Sequence, residues 1–195
     1  MKFFKIIFIT FIFLTCGVKA DLNQNLIKEF EQGGKLIFIR HAYAPGSGDP
    51  KNFNLNDCST QRNLNNSGRE QSKNIGNLFS RSNIKIKNVY SSEWCRCKET
   101  ASIAFERFET KKFLNSFYSA QFAKNKKKQV KDFHEFLNNW NKKDNLIFVT
   151  HYVFISEILN YAPSSGEIII TDKNFKIVDM DEVLKKKALN PGSTK

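Results

Sequence analysis

Two short stretches of this 195-residue chain are nearly interchangeable: Lys35-Leu36-Ile37-Phe38-Ile39-Arg40-His41 and Asn145-Leu146-Ile147-Phe148-Val149-Thr150-His151. Each is an apolar run of strand length, rich in β-branched residues, which predicts a fully buried strand. Each stops on a histidine, and the chain has only three. In open α/β sheets ligands bind just beyond the carboxyl ends of the strands. Two strands that end this way would therefore aim both imidazoles at one crevice.

The first twenty residues read as a leader and not as part of the fold. Met1 to Lys5 gives a basic start, Ile6 to Leu14 an apolar core too short to span a bilayer comfortably, and Val18-Lys19-Ala20 a small-x-small cleavage site. Cys16 lacks the small preceding residue expected next to a lipidated cysteine. We expect a signal peptide over residues 1–20, a periplasmic or secreted product, and no stable membrane insertion after cleavage. Residues 21–195 suit one domain with a single sizeable core, and no linker or repeat divides them. Removing Lys2, Lys5 and Lys19 from the 31 basic residues leaves 28 against 19 acidic ones, a net charge of +9. Such a surface favours anionic partners without naming one. The run Lys124, Lys126, Lys127 and Lys128 has no interleaved aromatics, so it reads as a solvated helix face and not as a nucleic-acid groove.

Along the expected mature chain, Leu22 to Gln32 reads as a helix ended by Gly33-Gly34, directly before the first histidine strand. Ala44 to Asn56 is rich in Pro, Gly, Asp and Asn and predicts a long loop after His41, where binding residues are common. A helix starts near Ser67, with Ile75, Leu78 and Phe79 as its buried stripe. Ile84 to Tyr90 reads as a strand, Ser91-Ser92 as a cap, and Cys95 to Phe108 as a helix. Phe133, Phe136, Leu137 and Trp140 mark another helix before the second histidine strand, and Val153 to Leu159 a further one after it. Ile168–Thr171 and Phe175–Val178 look like a hairpin. The alternation predicts an α/β fold, a three-layer sandwich with a mostly parallel mixed central sheet and helices on both faces.

Arg40-His41 puts a fixed cation beside an imidazole at a strand end. A neutral imidazole is a competent nucleophile toward phosphorus, and a guanidinium holds phosphoryl oxygens in its planar fork. Arg96 falls in the first turn of a helix that follows a strand, where the helix amides also favour an anion. Taken in order, four motifs resemble the histidine phosphatase superfamily, branch 1, the phosphoglycerate-mutase-like group. They are Arg40-His41-Ala42, Arg62-Asn63-Leu64 leading into Ser67-Gly68-Arg69-Glu70-Gln71, Ser91-Ser92 with Arg96 and Glu99-Thr100-Ala101, and Val149-Thr150-His151. The short form is similar to small bacterial phosphohistidine-phosphatase-like members, and Asp57 to Leu64 to signal-bearing relatives.

The resemblance implies catalytic roles for His41, Arg40, Arg96 and His151. His41 would take the phosphoryl group, while Arg40, Arg96 and a protonated His151 bind its oxygens and Arg62 lies at the pocket rim. No metal or other cofactor is called for; His134 sits on a separate segment and Cys95-x-Cys97 lacks a second ligand pair. Many members supply a glutamate between the second arginine motif and the second histidine as general acid, but here no carboxylate occurs from Thr110 to Lys131. The larger branch uses an aspartate after its second histidine, where this chain has Tyr152. Asp57, Glu93 and Glu109 are the remaining candidates, and without an acid the substrate should carry a leaving group that departs easily. Phosphoglycerate mutase activity is disfavoured, because the Ala44–Asp49 loop lacks the polar pattern of sugar-phosphate mutases. Of Cys58, Cys95 and Cys97, a Cys58–Cys95 disulfide would tie together the segments that carry Arg62 and Arg96; three reduced core thiols are the alternative.

The expected function is hydrolysis of a phosphomonoester or phosphoramidate on a small phosphorylated substrate or a phosphoprotein, through a phosphohistidine. Two rivals stand beside it: an inert phosphate-binding module of the same fold, and a surface-associated protein whose basic face binds anionic polymers.

Overall fold

The computed structural model describes residues 24–81, 84, 86 and 88–178. The expected signal peptide, the start of the first helix, part of the strand placed at Ile84 to Tyr90, and the tail after Leu184 lie outside the described residues. In chain order the elements are α1 (Gln24–Gln32), β1 (Leu36–Arg40), α2 (Asn66–Arg81), β2 (Asn88–Ser91), α3 (Cys95–Phe105), β3 (Glu109–Thr110), α4 (Ala120–Ala123), α5 (Lys126–Asn138), β4 (Leu146–Thr150), α6 (Tyr152–Leu159) and β5 (Ile168–Thr171).

The five strands form one sheet in the order β3-β2-β4-β1-β5, with every pair parallel except β1 and β5. The two histidine strands are neighbours. They pair in register from Leu36 opposite Leu146 to Arg40 opposite Thr150, so His41 and His151 leave the sheet at the same level. The period of two along each strand divides the core. Ile37, Ile39, Ile147 and Val149 pack with α1, α2 and α3 through Phe30, Ile75, Phe79 and Ala101. Leu36, Phe38, Leu146 and Phe148 face the other way, against Phe133 and Leu137 of α5 and Phe154 and Ile155 of α6. The sheet is therefore the middle layer of three.

Three boundaries differ from the sequence reading. The third helix ends at Phe105, where Glu106 takes a left-handed φ of 62°, leaving room for the short edge strand β3. Ser91 and Ser92 are buried side chains and do not cap α3; Trp94 holds the cap position. The expected hairpin reduces to β5 with a single bridge between Thr171 and Ile177.

Two close approaches fix the loops around the strand ends. Gly68 lets α2 sit against the segment after His41, since a Cβ there would meet the Tyr43 carbonyl oxygen at 2.1 Å. From the same helix, Gln71 accepts a hydrogen bond from the Tyr43 amide at 2.9 Å and donates to the Ser165 carbonyl at 2.7 Å. Cys58 and Cys95 are joined by a disulfide across 37 positions. In the chain-entropy view, closing a loop of that length contributes about 4 kcal/mol.

Candidate active site

His41 and His151 are both buried, with ring centroids 5.5 Å apart. Arg96, only 3% exposed, lies against both. Its Nε–H donates to His41 Nε2 at 3.2 Å and its Nη2–H to His151 Nδ1 at 3.4 Å. It sits in the first turn of α3, which the Thr100 hydroxyl pins in place by donating to the Arg96 carbonyl at 2.7 Å and accepting from the Ala42 amide at 3.0 Å.

These partners assign the imidazole protons. A backbone carbonyl can only accept and an arginine N–H can only donate. His41 Nδ1 lies 2.8 Å from the Ala42 carbonyl oxygen, so it carries the hydrogen and Nε2 keeps its lone pair toward the pocket. In His151 the order is reversed. Nδ1 receives the Arg96 bond, so Nε2–H donates to the Ser92 hydroxyl at 2.8 Å, and that hydroxyl in turn donates to Asn115 Oδ1 at 3.1 Å. Burial first, and the Arg96 cation second, hold both imidazoles well below their ordinary range. Both rings therefore favour the neutral form, and for His151 the Arg96 guanidinium donating to Nδ1 works against the protonated ring expected from the sequence.

The cavity above the histidines has a volume of about 180 Å³. Arg40, Arg62 and Arg96 line it together with His41 and His151. Arg40 donates through Nη1 to the Pro163 carbonyl at 2.9 Å, while its buried Nε has no partner. Arg62 is partly spent on its own loop, donating from Nε to the Gly48 carbonyl at 2.9 Å and from Nη1 to the Ala44 carbonyl.

The three acid candidates do not line this cavity. Asp57 is exposed and caps a 3₁₀ turn by accepting from the Ser59 amide. Glu93 accepts from Asn115 Nδ2 at 2.7 Å, and Glu109 is paired with Lys111 at 2.6 Å on the edge strand. The carboxylate that does line it is Asp49, which the sequence reading passed over. Its Oδ1 accepts from Arg96 Nη1 at 2.8 Å and from the Arg62 amide at 3.1 Å. Its Oδ2 accepts from Trp94 Nε1 at 3.1 Å and Arg96 Nη2 at 3.3 Å. Burial alone would raise the Asp49 carboxyl, but Arg96 outweighs it and holds the group below the usual carboxylate range. A carboxylate tied to four donors is a fixed anion and not a proton donor. It aims the Nε–Nη2 edge of Arg96 at the two imidazoles. The signal for it was present: Asp49 is the one acid in a Pro/Gly loop that directly follows the first histidine.

Among the described residues the remaining thiol, Cys97, is buried with Sγ 3.5 Å from His151 Nε2, and burial pushes it up to about 12, so it stays a thiol.

Comparison with known proteins agrees with this fold. No curated protein matches the chain. Among solved structures, an Escherichia coli protein described as a candidate alpha-ribazole-5'-P phosphatase superposes with a TM-score of 0.54 at 17% identity, covering 71% of this chain and 90% of that one. The protein histidine phosphatase SixA, complexed with tungstate, superposes at 0.51 and 14% identity over 74% and 92% of the two chains. TTHB049 from Thermus thermophilus does so at 0.54 and 12% over 75% and 98%. At these identities the likeness is one of fold. The family model matches residues 36–143, from the first histidine strand to just short of the second, and on that match the chain belongs to the histidine phosphatase superfamily, branch 1.

Proposed function

We propose that the chain hydrolyses a phosphomonoester or phosphoramidate through a phosphohistidine on His41. The observation that carries this reading is the His41 Nε2 lone pair, held 3.2 Å from Arg96 Nε at the floor of an arginine-lined cavity. In the first step Nε2 gives up its hydrogen bond from Arg96 and attacks phosphorus in line, the bond from phosphorus to the leaving atom breaks, and the leaving atom takes its proton from solvent. In the second, water attacks phosphorus, the P–N bond breaks, and inorganic phosphate and neutral His41 are released. Arg40 and Arg96 bind the equatorial oxygens, joined by His151 once the arriving phosphate dianion lets its Nδ1 take up a proton, so that catalysis is positioning and electrostatic stabilisation. Since Asp49 is held ionised, substrates whose leaving group departs without much protonation are favoured. We place the enzyme in the periplasm or outside the cell: the leader pattern of residues 1–20 supports export, and the Cys58–Cys95 disulfide suits an oxidising compartment.

Incubation with an aryl phosphate tests the reading. Released product, together with an acid-labile, base-stable phosphoryl adduct that His41→Ala lacks, is the expected result. If neither product nor adduct forms, or if His41→Ala behaves as the parent does, the reading fails. Phosphate binding without product would mark an inert module, the alternative that the fully engaged Asp49 favours.

A further inference from the structure

The two ends of the cavity differ in chemistry. Every charged side chain lining it, Arg40, Asp49, Arg62 and Arg96, belongs to the phosphate end. The outer rim is neutral and aromatic. Tyr118 and Tyr152 line it while remaining 63% and 42% exposed, and the half-buried Phe122 lines the cavity too, its ring centroid 5.4 Å from that of Trp94. Large exposed apolar side chains are few among the described residues, namely Tyr43, Tyr118, Tyr152 and Ile177, and two of these four stand on this one rim. Single exposed aromatics are ordinary, but a pair beside an arginine pocket is surface kept for a ligand.

Two further observations give the rim a reach and a polar contact. The Arg40 guanidinium carbon lies 5.6 Å from the centre of the Tyr152 ring, so the aromatic surface begins one ring away from the phosphate ligands. Ser119 also lines the cavity, and its buried Oγ has no hydrogen-bond partner, so a turn about χ1 would bring a free hydroxyl to a bound group. Beyond Arg40, Arg62 and Arg96, no lysine or arginine lines the cavity to receive a second anion.

We propose that the rim selects phosphate compounds whose leaving group is uncharged and carries a flat aromatic face, stacked on Tyr118 and Tyr152, with Ser119 as its polar contact. Polyol phosphates and bisphosphates meet no matching chemistry there. The proposal rests on the phosphatase reading for its location, but a binding measurement tests it independently of turnover.

The probes are two phosphonates that cannot be hydrolysed, benzylphosphonate and 2,3-dihydroxypropylphosphonate, titrated calorimetrically against the full chain beside inorganic phosphate. Aromatic stacking should make the benzyl compound bind about tenfold or more tightly than the polyol. In Tyr118→Ala and Tyr152→Ala that preference should shrink to about threefold or less, with phosphate binding by the same variants reporting an intact pocket. Should an alanine variant fail to bind phosphate, Tyr118→Leu and Tyr152→Leu, which keep apolar bulk without a π face, give the same readout. A parent that binds both phosphonates equally, or a preference that survives in the double variant, overturns the rim assignment and leaves the phosphatase reading standing. Absence of the phosphoryl adduct with the preference intact overturns the phosphatase reading and leaves the rim standing.

Discussion

His41 and His151 end adjacent parallel strands of almost the same sequence, at the same level of the sheet, yet the structure gives them opposite tautomers. His41 spends its Nδ1–H on the carbonyl of the next residue and turns an unprotonated Nε2, which accepts from Arg96 Nε–H, toward the cavity. His151 spends its Nε2–H on Ser92, and that hydroxyl is backed by Asn115. The strands deliver the rings, but their neighbours decide the chemistry. One imidazole is set to attack, while the other is held sideways and fixed by a chain of side chains from the segments around β2 and α4. A near-repeat in sequence is therefore not a repeat in function, because the partners come from elsewhere in the chain.

The largest effect should separate the two rings. His41→Ala should lower aryl phosphate turnover by about four orders of magnitude or more and abolish the adduct, since no second nucleophile takes its place. His151→Ala removes one stabilising contact and should cost about 10²–10³ while the adduct persists. Acid-quenched mass spectrometry and steady-state rates read both. Equal losses, or an adduct on His151, would break the asymmetry.

Asp49→Asn probes what aims Arg96 at the pair. Losing the fixed anion frees the guanidinium, and a misaimed ligand should cost about 10–10² in turnover. The same change leaves three arginines around the cavity without their counter-charge, so inorganic phosphate should inhibit the variant more strongly than the parent. A residue that only held the fold together would weaken both properties, so the opposed directions identify a positioning role. Asp49→Glu should restore part of the rate.

The scaffold was legible in the chain because it rests on local signals. The paired apolar strands, the Ile75 and Phe79 stripe of α2 and the Phe133 and Leu137 face of α5 are all read from spacing. The arginines and histidines were legible because they sit at strand ends and in a helix first turn. Asp49 was not, because its role depends on Arg96, which lies 47 positions away, and no periodicity links a loop to a helix. For the same reason Asp57, Glu93 and Glu109 looked equivalent on paper, whereas the fold gives their carboxylates to Ser59, Asn115 and Lys111. The charge state of His151 was equally out of reach, since burial and the approach of Arg96 set it.

A pH series sharpens the comparison in a different way, because here the two rings should agree. Both have folded-state values below the ordinary value of 6.5, so the unfolded chain binds more protons as pH falls through that value. Their contribution to stability is present above about 6.5 and is lost progressively below it. Imidazole NMR should find both rings neutral at pH 6.5, and denaturant midpoints should fall as the pH is lowered from there. A histidine that is half protonated at 6.5 would contradict the burial argument for that ring.

The smallest effect tests the tautomers directly. Imidazole ¹⁵N shifts distinguish a protonated ring nitrogen from a bare one. In the parent they should place the hydrogen on Nδ1 of His41 and on Nε2 of His151. Ser92→Ala takes away the acceptor of the second hydrogen and leaves Nε2–H with only the Cys97 sulfur at 3.5 Å, a weak substitute. Moving the proton to Nδ1 does not relieve this, since it would then point at an Arg96 N–H. The ring should loosen without a stable alternative, broadening the His151 signals, leaving those of His41 unchanged and lowering turnover about three- to tenfold, the worth of one buried hydrogen bond. If the parent shows the same tautomer at both rings, the two strand ends are equivalent after all, and the choice of His41 as nucleophile loses its structural basis.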